Sequence, residues 1–255
     1  MSVIARPMTR GASSPFPAQH RWDSIAIACL VLMIWVGVLG GFVPDVVLHV
    51  QQNSAPYPLI VHVHAAVFTG WLVFLTIQVA LVRTGRTSLH RRLGPFGAGL
   101  AVAMLVLGPA TALYVQKLNY GTAAGNPPFL AIQFTDLLAF IGPVAAGLLL
   151  RKDAAAHKRL MLLGTVYITD AGFGRMFAIF FPGLGGGGWW GFFVEGPLQP
   201  DILILALGAY DLLTRRRLHP VYLPAVAWLA LMQASSIVLY FNPTWGRIAE
   251  AILGH

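Results

Sequence analysis

The stretch SIAIACLVLMIWVGVLGGFV, residues 24–43, decides the fold class, because its 20 residues carry no charged side chain. A helix needs about 20 such residues to cross the hydrocarbon core of a bilayer. Further apolar runs follow along the chain, and they lie at Leu59–Val82, Gly94–Val115, Phe129–Leu150, Leu160–Phe181, Leu198–Leu213 and Val221–Asn242. Since unpaired backbone groups are costly in lipid, the sequence predicts an all-α, seven-helix transmembrane bundle.

The composition excludes a soluble globular protein. Hydrophobic residues make up 57% of the 255 residues and charged residues only 10%, with a mean hydropathy of +0.71. A soluble domain is about 25% charged, and a disordered chain needs low hydrophobicity with high charge. The single cysteine, Cys29, also excludes an internal disulfide.

Lysine and arginine residues concentrate on one side of the predicted bundle. Three precede the first run, four lie at 83–92, four at 151–159 and three at 215–217, whereas the other side holds Lys117 and Arg247. The positive-inside rule therefore predicts a cytoplasmic N-terminus and a periplasmic C-terminus. Because these short loops account for the net charge of +8, we expect no nucleic-acid partner.

The predicted organisation has three parts: a disordered cytoplasmic tail at 1–23, a single seven-helix transmembrane domain at 24–242 and a short periplasmic tail at 243–255. Within the domain, a histidine ends each of three inner loops, and these residues are His90, His157 and His219. This recurrence predicts three helical hairpins after a lone first helix, a kind of repeat common in membrane folds.

Ionisable side chains inside the apolar runs are the candidate functional residues, because charge is costly in hydrocarbon. At a rise of 1.5 Å per residue, four of these side chains, each from a different run, lie about 5 to 10 Å below the outer membrane surface. They are His64, Asp136, Arg175 and Asp201. The sequence therefore predicts an outer-leaflet polar site, with a deeper member at Asp170. The candidate cofactor-binding residues are His62, His64, Asp136, Asp170, Arg175 and Asp201.

Helical rotation sorts these candidates. His64 shares a stripe with Trp71 and Gln78, so we expect it to face the polar interior near Asp136 or Arg175. His62 points about 200° away from His64, towards a helix contact or the membrane interface.

Charge pairing gives two further expectations. Arg175 lies about 140° from Asp170 on the same helix, so we expect it to pair with Asp136 or Asp201 on another helix. Asp211 lies four residues before Arg215, a spacing that predicts a salt bridge within one helix. The alternative interpretation of Asp136, Arg175 and Asp201 is a structural ion network.

Two more groups have both a structural and a functional interpretation. His90, His157 and His219 either cap and anchor helices or meet at the cytoplasmic face to bind haem, a quinone or a lipid headgroup. The glycine-rich stretch at 182–195 carries Trp189, Trp190 and Glu195. It forms either an aromatic belt at the membrane interface or a lid over the outer polar site.

The motifs HVH at 62–64, HRRLG at 90–94, HKRLMLLG at 157–164 and RLHP at 217–220 resemble those of a family of bacterial multi-pass inner-membrane proteins without an established activity. The resemblance covers Leu59–Tyr222. It implies that the chain lies in the bacterial inner membrane.

The leading functional hypothesis is a membrane protein that binds haem or a transition metal, with a redox or respiratory-assembly role. Imidazole suits such metals, so His64 is the expected metal ligand together with Asp136. The alternatives are a small-solute or proton-coupled transporter, a zinc-dependent membrane hydrolase and a structural partner subunit. The expected partners are the lipid bilayer and either another membrane protein or a second copy of the chain.

Overall fold

The computed structural model describes residues 16–254, and the regular structure in this part of the chain is entirely helical. The all-α fold class is thereby confirmed. A short 3-10 turn at Pro127–Phe129 precedes α4. In chain order the helices are α1 (Asp23–Gln51), α2 (Leu59–Arg83), α3 (Thr87–Leu118), α4 (Leu130–Leu149), α5 (Ala154–Tyr167), α6 (Asp170–Phe180), α7 (Gly188–Glu195), α8 (Leu198–Arg215), α9 (Tyr222–Tyr240) and α10 (Pro243–Leu253).

Several of these helices are long and apolar enough to cross a membrane. Within residues 16–254, five pass this test singly: α1, α2, α3, α4 with its preceding turn, and α9. Helices α7 and α8 pass it together as one span bent by 56°. Residues 16–254 therefore contain five or six such spans by length and composition, which fits a multi-pass membrane protein.

The predicted fifth run is divided into two helices. Helix α5 ends at Tyr167 and α6 begins at Asp170. At the break, the Thr169 hydroxyl donates to the Val166 carbonyl oxygen at 2.6 Å, and the Asp170 carboxylate accepts from the Ala171 backbone N–H at 2.6 Å. Short polar side chains that bond their own backbone compete with the helical ladder, which explains why the helix ends here.

Helix α1 is longer than its apolar run. It continues through Pro44 to Gln51, about two turns beyond Val43. The extension places Asp45, two residues beyond the first apolar run, on the same helix as that run.

Helices α1 and α6 approach closely at glycines. A β-carbon added to Gly41 would lie only 1.9 Å from the Gly172 carbonyl oxygen, and one added to Gly37 would meet the Phe173 ring at 2.5 Å. Small residues permit such close backbone contact between membrane helices. The contact fixes the direction in which the rest of α6 points.

Helix α4 supplies the centre of the core. Ala139, Phe140 and Val144 are fully buried there. The Trp71 ring packs edge-on against Phe140 with 5.1 Å between centroids, and its indole N–H donates to the Thr165 hydroxyl at 3.2 Å. The predicted stripe on α2 thus faces the bundle.

The described residues of both terminal segments contact the bundle. Residues 1–15 of the predicted tail lie outside the described part of the chain, but Phe16 to Asp23 contact the bundle. The predicted periplasmic tail contains α10, which follows an Asn242 cap and buries Ala249 and Leu253. Trp245 fixes this helix by donating to the Pro128 carbonyl oxygen at 3.0 Å. His255 lies outside the described residues.

Candidate functional site

Two carboxyl groups meet inside the bundle. Asp136 on α4 and Asp170 at the start of α6 lie within side-chain hydrogen-bonding reach of each other, and both residues are half-buried. A hydrogen bond between two carboxyl groups requires a proton on one of them, because an ionised carboxylate only accepts. A proton bound to either carboxyl group would allow a hydrogen bond between α4 and α6 at this point.

Tyr167 and Asp201 extend this polar region. The Tyr167 side chain is buried and interacts electrostatically with Asp136, Asp170 and Asp201. Asp201 accepts a hydrogen bond from the Gln233 amide of α9 at 3.1 Å. The structure therefore joins Asp136 to Asp170 directly and places Asp201 in the same electrostatic neighbourhood.

The prediction for Arg175 is wrong. Its guanidinium pairs with Asp45 on α1 at 3.3 Å, rather than with Asp136 or Asp201, and both side chains are 42% exposed. It also lies 4.5 Å from the centre of the Phe42 ring. The reason is the close contact of α6 with α1 together with the extra length of α1, which brings Asp45 alongside Arg175.

The two histidines of the HVH motif differ in environment, as their rotation indicates. His62 is exposed, and its Nδ1 lies 3.2 Å from the carbonyl oxygen of Pro58. His64 is half-buried and stacks on Phe68 with 4.0 Å between centroids, and its buried Nδ1 has no hydrogen-bond partner among the described residues. His64 interacts electrostatically with Arg175, one of the two residues expected near it.

The glycine-rich stretch forms an aromatic helix. The left-handed backbone at Gly186 and Gly188 (φ of 70° and 67°) suits glycine and leads into α7. Trp189 and Trp190 are exposed, with 5.9 Å between their centroids, and Glu195 at the end of α7 is half-buried. The helix lies beside a cleft that contains Asp201.

A buried ion network occupies the opposite end of the bundle, where α1 begins. Arg159 and Asp211 are 2% and 0% exposed, and the guanidinium donates to both carboxylate oxygens at 2.6 and 2.5 Å. This two-bond geometry is the strong form of the arginine–carboxylate pair. The predicted Asp211–Arg215 salt bridge is confirmed at 3.4 Å, but Asp211 bonds Arg159 more closely.

Asp23 is the second anion of this network. Its carboxylate accepts hydrogen bonds from Arg215 at 2.7 and 2.8 Å, from Lys158 at 2.5 Å and from the Tyr210 hydroxyl at 2.7 Å. Three helices, α1, α5 and α8, are thereby tied together at one end of the bundle.

The Phe16 ring packs against the arginine side chains at this end of the bundle. Three guanidinium groups approach its ring, with 4.6 Å from Arg159 to the ring centre, 5.4 Å from Arg215 and 5.5 Å from Arg217. The neighbouring Ala18 carbonyl oxygen accepts a hydrogen bond from Lys158 at 2.8 Å. The segment before α1 is thus held by cation–π contacts and hydrogen bonds.

The three inner-loop histidines separate into a pair and a single residue. The His90 and His157 rings lie edge to face with 6.1 Å between centroids. His157 Nδ1 lies 2.8 Å from the Gly147 carbonyl oxygen, whereas the buried Nδ1 of His90 has no partner among the described residues. His219 instead lies near Asp153, with 3.8 Å from Nε2 to the carboxylate.

The charge surroundings of His219 are mixed. Burial lowers the pKa of its ring, and the positive charges of Arg159 and Lys158 act in the same direction. Asp153 and Asp211 oppose the change. The ring therefore favours its neutral form in the folded protein.

Sequence reasoning missed Asp23, Asp45, Lys158 and Arg159 as partners of buried or interhelical charges. One local signal was available for the last two. Asp153 caps α5 by accepting from the N–H groups of Ala155 and Ala156, and an aspartate before helix-forming residues marks a helix start. Lys158 and Arg159 therefore belong to a helix rather than to a basic loop.

No group of three or more His, Cys, Asp and Glu side chains is arranged to hold a metal ion within residues 16–254. The predicted metal ligands His64 and Asp136 therefore have no third partner of this kind. No protein family, curated protein or solved structure matches the chain.

Proposed function

We propose that this protein is a proton-coupled membrane transporter for a small solute, with Asp136 and Asp170 as its proton-binding pair. The observation that carries the proposal is the contact of these two carboxyl groups inside a bundle of membrane-length helices. Carboxyl groups at membrane depth are characteristic of proton relays in pumps and transporters.

The physical argument starts from charge repulsion. Two carboxylate charges at hydrogen-bonding distance repel each other, so a proton bound between them relieves the repulsion. A change in the distance between α4 and α6 alters that preference. Helix movement and proton binding are therefore coupled through this contact.

The helix break beside the pair supports the same function. Asp170 begins α6 directly after the interruption at 168–169. Irregular backbone at membrane depth is tolerated where protein or a cavity surrounds it, and broken helices recur at the binding sites of secondary transporters. Because α5 and α6 are already separate helices, α6 can move relative to α5 without breaking the hydrogen bonds within either helix.

The membrane arrangement that completes the proposal has seven spans, with α5–α6 and α7–α8 as two broken ones. The N-terminus lies in the cytoplasm and the C-terminus in the periplasm of a bacterial inner membrane. The asymmetry of lysine and arginine among the loops supports this orientation. Lipid is the surrounding partner, and a second copy or another membrane protein is the further partner that we propose.

The experiment uses the purified full chain in proteoliposomes that contain a pH-sensitive dye. An imposed pH gradient is followed as amino acids, sugars and organic cations are added in turn. We expect at least one solute class to accelerate proton flux in the wild type, and Asp136→Asn to abolish that acceleration. Glu250→Gln, a change at an exposed carboxylate on α10, should leave it intact.

Infrared spectroscopy supplies an independent readout of the shared proton. The wild type should show the carbonyl stretch of a protonated carboxyl group at neutral pH, and Asp136→Asn should remove it. Absence of this band from the wild type, or its persistence in Asp136→Asn, would contradict the assignment of the pair.

A second candidate function is redox chemistry with a bound transition metal or haem at His90 and His157. A metal–nitrogen bond of about 2.0 to 2.1 Å places each ring centre roughly 3 Å from a shared ion, which is compatible with the observed separation of 6.1 Å. The contact of His157 with Gly147 also orients that ring, as hydrogen bonds to metal-binding histidines do.

Metal analysis and an absorption spectrum of the purified protein test this second candidate. A stoichiometric metal or haem that is lost in His157→Ala would favour it over transport. Zinc-dependent hydrolysis has less support, because catalytic zinc sites use three protein ligands and residues 16–254 offer no such group.

A further inference from the structure

A cleft of about 460 Å³ lies between α8 and α9 beside α7. A volume of about 300 to 1,000 Å³ suits one small organic molecule. Most of its lining is aliphatic, and it includes Ile204, Leu205, Val226, Leu229 and Val238. Leu205 and Val238 are 63% and 64% exposed, so the cleft is accessible from the side of the bundle that faces lipid.

Asp201 is the charged group of this cleft. Its hydrogen-bond partner, Gln233, lines the cleft as well and is neutral. Among residues 16–254, no lysine, arginine or histidine lies within ion-pair distance of Asp201. A carboxylate in apolar surroundings is most stable beside a positive charge, so the cleft favours a cationic occupant.

Aromatic rings form another part of the wall. Trp189 and Phe193 line the cleft, and their rings are nearly parallel, with 6.0 Å between centroids and 6° between planes. Aromatic faces attract organic cations through the negative charge density of the ring. The cleft therefore combines an apolar volume, an aromatic wall and one carboxylate.

We propose that this cleft binds a lipophilic organic monocation, with its charge near Asp201 and its apolar groups along α8 and α9. The physiological role of this site rests on the proposed proton-coupled transport, in which the organic cation is the solute exchanged for a proton. Asp201 and the Asp136–Asp170 pair both interact electrostatically with Tyr167, so the two sites share one electrostatic neighbourhood.

The test measures binding of radiolabelled tetraphenylphosphonium to the full chain in nanodiscs of neutral lipid. Tetraphenylborate, which has the same shape and the opposite charge, is the matched probe. We expect saturable binding of the cation by the wild type and by Glu250→Gln, at least tenfold weaker binding by Asp201→Asn, and no saturable binding of the anion.

A variant that fills the cleft keeps the inference falsifiable if Asp201→Asn does not fold. Ala230 lines the cleft, so Ala230→Phe should remove cation binding without a change in unfolding temperature. Equal binding of anion and cation would identify a nonselective lipid groove and overturn the proposal. Wild-type affinity in either folded variant would overturn it as well.

The binding assay needs no proton gradient, which separates the two proposals. Asp136→Asn should retain tetraphenylphosphonium binding while it loses solute-dependent proton flux. Cation binding by a wild type that moves no protons would leave the cleft assignment standing and reject the transporter. Proton flux driven only by solutes that do not compete for the cleft would leave the transporter standing and reject the cleft as its solute site.

Discussion

Loss of the Asp211 carboxylate should destabilise the protein strongly. Asp211→Asn removes the negative charge and one of the two oxygens that accept from Arg159. The guanidinium then keeps only neutral partners, such as the Ala155 carbonyl oxygen at 2.8 Å and the Phe16 ring. Arg159 is 2% exposed, so water cannot replace the carboxylate. Breaking one partner of a buried ion pair costs about 3 to 5 kcal/mol, and we expect Asp211→Asn to fall in this range.

The double change Arg159→Met with Asp211→Leu should recover most of that loss. Replacement of a buried ion pair by apolar residues of similar volume is often neutral or stabilising by about 1 to 4 kcal/mol. Arg215 tolerates the change, since it keeps both of its bonds to Asp23. The assay is equilibrium unfolding in mixed detergent micelles for the wild type, Asp211→Asn, the single variants Arg159→Met and Asp211→Leu, and the double variant.

The Arg175–Asp45 pair is the matched control, because both of its side chains are 42% exposed. Its single and double variants should change the free energy of unfolding by only about 0 to 1 kcal/mol. If the Arg159 and Asp211 single losses simply add in the double variant, the two side chains are not coupled. Additive losses would refute the buried Arg159–Asp211 ion pair as the source of the destabilisation.

The remaining predictions concern topology, helix contact and pH. A reporter fused after His255 should be periplasmic and one inserted at Arg86 cytoplasmic; the same compartment for both would reject the seven-span arrangement. Gly41→Leu should separate α1 from α6 and lower the unfolding temperature, whereas Gly70→Leu, where a β-carbon meets nothing within 4 Å, should have little effect. Because burial and nearby cations lower the pKa of His219, its contribution to stability should be complete above pH about 6.5 and lost as the pH falls through the lowered folded pKa. The measurement is stability against pH, and an identical profile for His219→Gln would contradict this assignment.

The helical fold class follows from the sequence because it depends on local composition. Uncharged runs such as 24–43 have to be helical in lipid wherever they pack. The Asp211–Arg215 pair is predictable for the same reason, since a spacing of four residues brings two side chains together on any helix. The stripe that contains Trp71 and Gln78 also follows from helical rotation alone.

Only the tertiary structure decides which helices meet. The sequence places Arg175 away from Asp170 on its helix, but the glycine contact between α1 and α6 selects Asp45 as its partner. Helix rotation gives the direction of a side chain relative to its own axis and contains no information on the neighbouring axis. The charges of a membrane protein therefore reveal where partners are needed, whereas interhelical packing determines the partner that each charge obtains.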